Sequence, residues 1–288
     1  MEPVLIEVKD VTYYYEGNSP KAEAAVKNVS VKIKQGELWG IIGRTGSGKS
    51  TLVELMAGLI KPKSGTVLIE GADTNGKKHV VRELRGKVGL VFQYPEHQLF
   101  EESVLKDVCF GPKNLGFSES EAIEMAREAM RLMKLDESFE ALSPFELSGG
   151  EKRRAAIAGV LAMKPDILIL DEPTAGLDPV GRDSLFEMIR KVKASWCKSV
   201  VLVSHSMEDV SKMADHVLVM DEGRAVMQGS VRSVFSRTDE LFKIGLDVPQ
   251  ISRLISRLRD MGHDLSEDIL TVEEALEAIC MIKGAGGC

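Results

Sequence analysis

A chain of 288 residues, 44% hydrophobic and 28% charged, is long enough to bury the core of one large domain, or of one domain with a small appendage. Its formal net charge of −7 has the wrong sign for a general nucleic-acid binder, so no nucleic-acid partner is expected. The amino terminus, MEPVLIEVKD, carries acids early and has no apolar signal-peptide run, and no stretch approaches the roughly 18 apolar residues of a spanning helix. The expectation is an intracellular chain that meets a membrane only through partners. Cys109, Cys197, Cys280 and Cys288 lack CxxC spacing, and the five histidines lack zinc-ligand spacing. Reduced, incidental thiols are expected.

In chain order, LIEVKDVTYYY and VKNVSVKI alternate apolar and polar residues at period two, with EGNSP as a turn between them. ELWGIIG reads as a buried strand running into a glycine loop, and KSTLVELMAGL as the helix that follows, stopped by Gly58 and Pro62. SGTVLIEG and KVGLVFQ are two more strands. SESEAIEMAREAMRLMKL predicts an amphipathic helix with Ile123, Ala126, Met130 and Met133 on one face and a capping box of Ser118 with Glu121. GGEKRRAAIAGVLAMKP predicts another helix, stopped by Pro165. Then strands and helices alternate: DILILDEP, GRDSLFEMIRKVKAS, KSVVLVSH, MEDVSKMAD, HVLVMDEG.

Runs of four apolar residues separated by helices point to a parallel sheet covered on both faces. The fold class is therefore α/β, with an antiparallel β part at the front. Past residue 238 two helices, VPQISRLISRLRDMG and TVEEALEAICMIKG, form a small helical C-terminal extension, 238–288, the second with a capping box of Thr271 and Glu274.

GRTGSGKS, residues 43–50, is GxxxxGK followed by serine, between a strand and a helix. Such a loop lets backbone N–H groups converge on phosphates, while Lys49 reaches the β- and γ-phosphates and the Ser50 hydroxyl ligates Mg²⁺. The expected nucleotide contacts are Gly43, Arg44, Thr45, Gly46, Ser47, Gly48, Lys49, Ser50 and Thr51. ILILDE delivers Asp171 at the carboxyl end of a buried strand, where it would hold Mg²⁺ through water, and leaves Glu172 to polarise an attacking water. FELSGGEKRR, 145–154, is a second serine–glycine turn at a helix start, a place that suits anions.

The glycine loop, LSGGE and ILILDEPTAGLDP, with VSHS about thirty residues on, resemble the ATPase subunits of ABC transporters over residues 4 to about 235. That resemblance implies a P-loop NTPase fold with a RecA-like core, an ATPase domain at 4–237 and a helical subdomain at about 95–165. It implies that Tyr15 stacks on adenine, although Tyr13 or Tyr14 could take that place. It implies that Gln93 senses Mg²⁺ and the γ-phosphate, that Asp178 crosses a dimer interface, and that His205 is a switch histidine.

In ABC ATPases two nucleotide domains meet head to tail, so Ser148, Gly149 and Gly150 would close over ATP held by a second ATPase chain. Glu151 stands where the family more often has glutamine, an awkward charge beside a triphosphate that Lys152, Arg153 and Arg154 could offset.

FQYPEHQLFEESVLKDVCFGPKNLG, 92–116, and the helical tail with IGLDVPQ are similar to the ATPases of energy-coupling-factor importers of vitamins and transition-metal ions. The resemblance implies work at the cytoplasmic face of a membrane, with an integral coupling subunit and a separate substrate-binding membrane subunit. In that family the YPEHQLF region contacts the coupling helices. The alternative is the ATPase of another ABC importer or exporter with separate membrane chains. A non-hydrolysing regulatory subunit conflicts with Glu172 and His205, and a P-loop kinase has no use for LSGG.

Overall fold

Two sheets form because the chain carries two kinds of strand. In the computed structural model, which describes residues 2–15 and 24–282, β1 (Val4–Tyr13) and β2 (Val26–Lys34) pair antiparallel and each buries only one face. The expected EGNSP turn lies outside the described residues. β3 (Leu38–Gly43) is buried at every position and leads through the glycine loop into α1 (Lys49–Met56). β4 (Ser64–Ile69) and β5 (Ala72–Asp73) return to the first sheet, and α2 (Lys78–Lys87) leads to β6 (Val88–Val91).

A 3₁₀ turn at Pro95–Gln98 opens a helical layer of α3 (Val104–Leu115), α4 (Glu119–Leu132) and α5 (Gly149–Leu161). The chain then alternates through β7 (Ile167–Asp171), α6 (Pro179–Ser195), β8 (Ser199–Val203), α7 (Met207–Met213) and β9 (His216–Asp221). β10 (Arg224–Ser230), α8 (Val231–Phe235), α9 (Thr238–Lys243), α10 (Gln250–Asp260) and α11 (Val272–Ile282) complete it.

The four-stranded sheet runs β2-β1-β4-β5 and the six-stranded one β10-β9-β3-β8-β7-β6. Every neighbour pair from β9 to β6 is parallel, and β10 is antiparallel at the edge. From β3 the chain crosses to the far edge strand β6 and returns through β7 and β8 past β3 to β9. The connections of the neighbours β3 and β8 therefore leave in opposite directions, which is where open α/β sheets bind ligands. The fold class is as expected.

The capping box of Ser118 and Glu121 is present, and Thr271 and Glu274 exchange backbone-to-side-chain bonds at 3.2 and 3.3 Å. Of the expected stripe on α4, Ala126, Met130 and Met133 are buried and Ile123 packs beside them. β5, α2, α3, β10, α8 and α9 are additions to the sequence reading. β10 follows a two-residue hairpin turn in which Glu222 and Gly223 both have positive φ, +44 and +80, as such tight turns require. Its alternation is weak because this edge strand is mostly exposed.

Apolar clusters fill the space between the sheets, between the large sheet and the α3–α6 layer, and beneath α7 and α8. Leu241, Leu246 and Val248 belong to the last of these, whereas Ile255, Leu265, Ile269 and Ala275 form a small cluster of their own. Cys109 and Cys197 are buried, and burial pushes the Cys197 thiol up to about 12. They are inert packing groups. Phe235 is fully enclosed where α8 meets the sheet. Replacing it with alanine is expected to cost about 3–5 kcal/mol, read as a lower urea midpoint at unchanged slope.

Candidate active site

At the end of β3 the chain turns so tightly that a Cβ on Gly43 would lie 2.2 Å from the Met220 carbonyl oxygen and 2.5 Å from Ser47 Oγ. Gly48 has φ +96, and its Cβ would lie 2.2 Å from the Ala25 oxygen. Only glycine fits at either position. Arg44, Thr45 and Gly46 between them are exposed. Ser47 is turned inward at the base of the loop, with a hydroxyl that finds no partner among the described groups.

Lys49 begins α1 and folds back, its Nζ donating to the carbonyls of Gly43 at 2.8 Å and Arg44 at 3.0 Å. Burial lowers its pKa, against the opposing pull of the Glu172 and Asp171 charges. The hydroxyl of the exposed Ser50 faces the Asp171 carboxylate and draws its pKa down, and the buried Thr51 hydroxyl lies 3.0 Å from that of Tyr15.

The three tyrosines separate clearly. Tyr13 packs on the core between the sheets, and the ring of Tyr14 lies under Lys63. Tyr15 is 52% exposed, meets Tyr13 edge-on with centroids 5.0 Å apart, and is the one tied to α1.

Asp171 ends β7, and Glu172 follows it. Both are buried. Burial raises both carboxyl pKa values, opposed at Asp171 by Ser50 and Lys49 and at Glu172 by His205. Glu172 Oε2 lies 2.7 Å from Nδ1 of His205, whose imidazole is otherwise largely exposed.

Glu172 also adopts φ +51, a left-handed conformation that costs a side-chain-bearing residue about 1–2 kcal/mol. It is held there by its N–H donating to Val203 O at 3.0 Å and its carbonyl accepting from Ala175 N–H at 3.2 Å. Gln93 is exposed two residues beyond β6. Because Val91 is in register with Leu170, it stands at the same sheet edge as the carboxylates. Loop, lysine, carboxylates, histidine and glutamine thus share one edge.

The second serine–glycine turn is elsewhere. Ser148 caps α5, a helix packed on α3, α4, β6 and the Pro95–Gln98 turn. Its N–H and hydroxyl both donate to Glu151 Oε2, at 2.8 and 2.6 Å. Asp178, also exposed, caps α6 by accepting from Gly181 N–H at 2.7 Å. Among the described residues no group of three or more His, Cys, Asp or Glu is arranged to hold a metal. The Ser50 hydroxyl and Asp171 carboxylate offer oxygen alone, which fits Mg²⁺, an ion that takes one or two carboxylates and completes its shell with water and phosphate.

Residues 26–175 match the family described as ABC transporter. The chain is 48% identical over 278 residues, 96% of itself and 97% of the relative, to the energy-coupling factor transporter ATP-binding protein EcfA2 of Clostridium acetobutylicum. It is 49% identical over 286 residues to the protein of that name in Clostridioides difficile, covering 98% of this chain and 99% of the relative. The structure of cbiO1 from Clostridium perfringens, part of the ABC transporter complex cbiONQ, superposes with a TM-score of 0.74 at 35% identity, covering 88% of this chain and all of that one. A dimeric cassette, MJ0796 bound to ADP and Pi, superposes at 0.71 with 29% identity over 79% of this chain and 99% of its own.

The chain belongs to the ABC transporter ATPase family. Its relatives of nearly full length are energy-coupling factor ATP-binding proteins, and it is an ATPase of that type. For an ABC ATPase, two residues that sequence reasoning missed stand out. Arg153, weighed only as an offsetting charge, is 5% exposed and paired with Glu96, which had no assigned role. Burial raises the Glu96 pKa, but hydrogen bonds led by those from Arg153 outweigh that and hold it below its ordinary value.

Glu151 is turned back into the cap of its own helix. Glu151→Ala is expected to cost about 0.5–2 kcal/mol of stability in a urea titration. Glu151→Gln, which can still accept from the Ser148 N–H, should stay near the parent.

Proposed function

We propose that this ABC ATPase hydrolyses ATP gripped by its own loop and covered by Ser148–Gly150 of a second ATPase chain, the same or a paralogue. One observation carries the composite site. A Cβ on Gly149 would meet nothing within 4 Å, and on Gly150 only Arg154 Nη1 at an ordinary 3.8 Å; neither glycine has positive φ. Nothing inside the chain requires glycine there, and two glycines in a first helical turn are unfavourable. Close approach by something outside the chain accounts for them, and a nucleotide on a facing P-loop has the matching charge for a helix start.

In this reading the Tyr15 ring stacks on adenine and the loop N–H groups hold the phosphates. Lys49 exchanges the Gly43 and Arg44 carbonyls for phosphate oxygens. Ser50 and Asp171, with Gln93 beside them, would hold Mg²⁺, which would supply charge neutralisation on the phosphates. Glu172 orients the attacking water and accepts its proton, its raised pKa making it a stronger base than an exposed carboxylate. His205, donating through Nδ1, fixes that carboxylate and presents its other nitrogen towards the γ-phosphate, and Asp178 reaches across to the second chain.

The chain is the ATP-hydrolysing subunit of an energy-coupling-factor importer. No helix among the described residues is long and apolar enough to cross a membrane. Our reading is that it lies at the cytoplasmic face of the cell membrane, peripheral, against an integral coupling subunit that also carries a substrate-binding subunit for a vitamin or transition-metal ion. A groove of about 380 Å³ between Leu99, Phe100, Phe110 and α5 supports this. Phe100 and Phe110 are 58% and 44% exposed there, apolar surface suited to a helix of the coupling subunit.

Glu172→Gln is expected to bind ATP, to lose about 10²–10⁴-fold in kcat and to be trapped by ATP as a dimer with its ATPase partner in light scattering. Steady turnover by that variant would remove the base assignment. Protonating Glu172 silences it, so kcat falls as pH drops through a pKa raised by burial. His205→Ala removes what pulls that pKa down, and the acid limb of the kcat–pH profile should move to higher pH; an unmoved limb contradicts the pairing.

A further inference from the structure

Among the described residues Arg153 is the only buried lysine or arginine, and every nitrogen of its guanidinium is used. Nε and Nη2 fork onto the Glu96 carboxylate at 3.1 and 2.7 Å. Nη1 donates to the carbonyls of Pro173 at 3.0 Å and Ala175 at 2.6 Å. A fork of this kind fixes orientation as well as distance, which a lysine cannot do.

The three segments it joins are distant in sequence and different in task. Arg153 rides on α5, the helix headed by Ser148–Gly150. Glu96 sits in the turn three residues after Gln93, just before Leu99 and Phe100 of the apolar groove. Pro173 and Ala175 follow Glu172, whose left-handed backbone persists only if its surroundings hold it. Two of those restraints come from Val203 and from Ala175 itself. Arg153 supplies the next, by gripping the carbonyls on either side of Thr174. α5 also forms the far wall of the groove, through Ala155, Ala156 and Gly159.

We propose that Arg153 is a positioning residue that makes signature helix, Gln93 turn and Glu172 loop move as one body. It rests on the function read above. A displacement of the groove walls by a membrane partner is then delivered at once to Glu172, which serves the ATP on this chain, and to Ser148–Gly150, which serves the ATP on the other. The fork is what synchronises the two composite sites, although it touches neither nucleotide.

Arg153→Lys keeps the charge and loses the fork; Glu96→Gln cuts it from the other side. In the full chain, purified with its ATPase partner and membrane subunits, each should lower kcat about 10- to 100-fold, the scale of a small misplacement of catalytic groups, and leave the KM for ATP unchanged. The double variant should be no worse than either single one, as for residues acting as a unit. Unchanged kcat in either single variant, even with a lower thermal midpoint, overturns the proposal, and so do losses that multiply in the double variant. Glu172→Gln in the same preparation is the separate control: if it still turns over ATP, the reading of the site fails rather than the role of Arg153.

Discussion

Parallel strands all end on the same side, and the chemistry of this molecule follows from that constraint. Because β3, β8, β7 and β6 run in one direction, the residues just past them gather at one edge. Lys49, Asp171 and Glu172 are drawn far enough from water for burial to be the largest influence on each pKa. Lys49 and Asp171 are tolerated because they are near one another: the lysine opposes the raised pKa of Asp171, and the acids oppose the lowered pKa of the lysine. Glu172 is instead relieved by His205 and further raised by the Asp171 charge. A charged nucleotide entering such an edge meets groups already stripped of part of their water, where electrostatic contacts are stronger than in bulk solvent.

The glycines divide into two kinds, and the difference reports on assembly. Gly43 and Gly48 are demanded by this chain's own backbone, at approaches of 2.2 Å. Gly149 and Gly150 are demanded by nothing in it. The first pair builds a cradle within one molecule, whereas the second is free of any such demand, as the proposed contact with a second chain requires. Glu151 fits this division. Its carboxylate is folded back onto the Ser148 N–H and hydroxyl, so the charge that looks misplaced in the motif also stabilises the turn that must be presented.

Between cradle and turn lies the α3–α5 layer, and Arg153 is where the layer is fastened to the catalytic edge. A buried guanidinium left without Glu96 would be costly, so the fork, once made, is stiff. In the composite arrangement proposed above, stiffness there is useful, since a loose layer would let one site close without the other.

The chain order alone determined the parallel sheet, the loop, the acidic strand end and the serine–glycine turn. Each of these is written in residues within a few positions of one another: GRTGSGKS between a strand and a helix, four apolar residues before Asp171, a serine three residues before a glutamate at a helix start. Local pattern carries local structure because capping, turn formation and strand burial act over that same short range. Only the tertiary structure decided which of three adjacent tyrosines reaches α1, that β10 closes the sheet edge, that Glu172 is wound into a left-handed conformation, and that Arg153 meets a carboxylate 57 positions away. Those outcomes depend on contacts between segments far apart in the chain, whose partners no window of neighbouring residues contains.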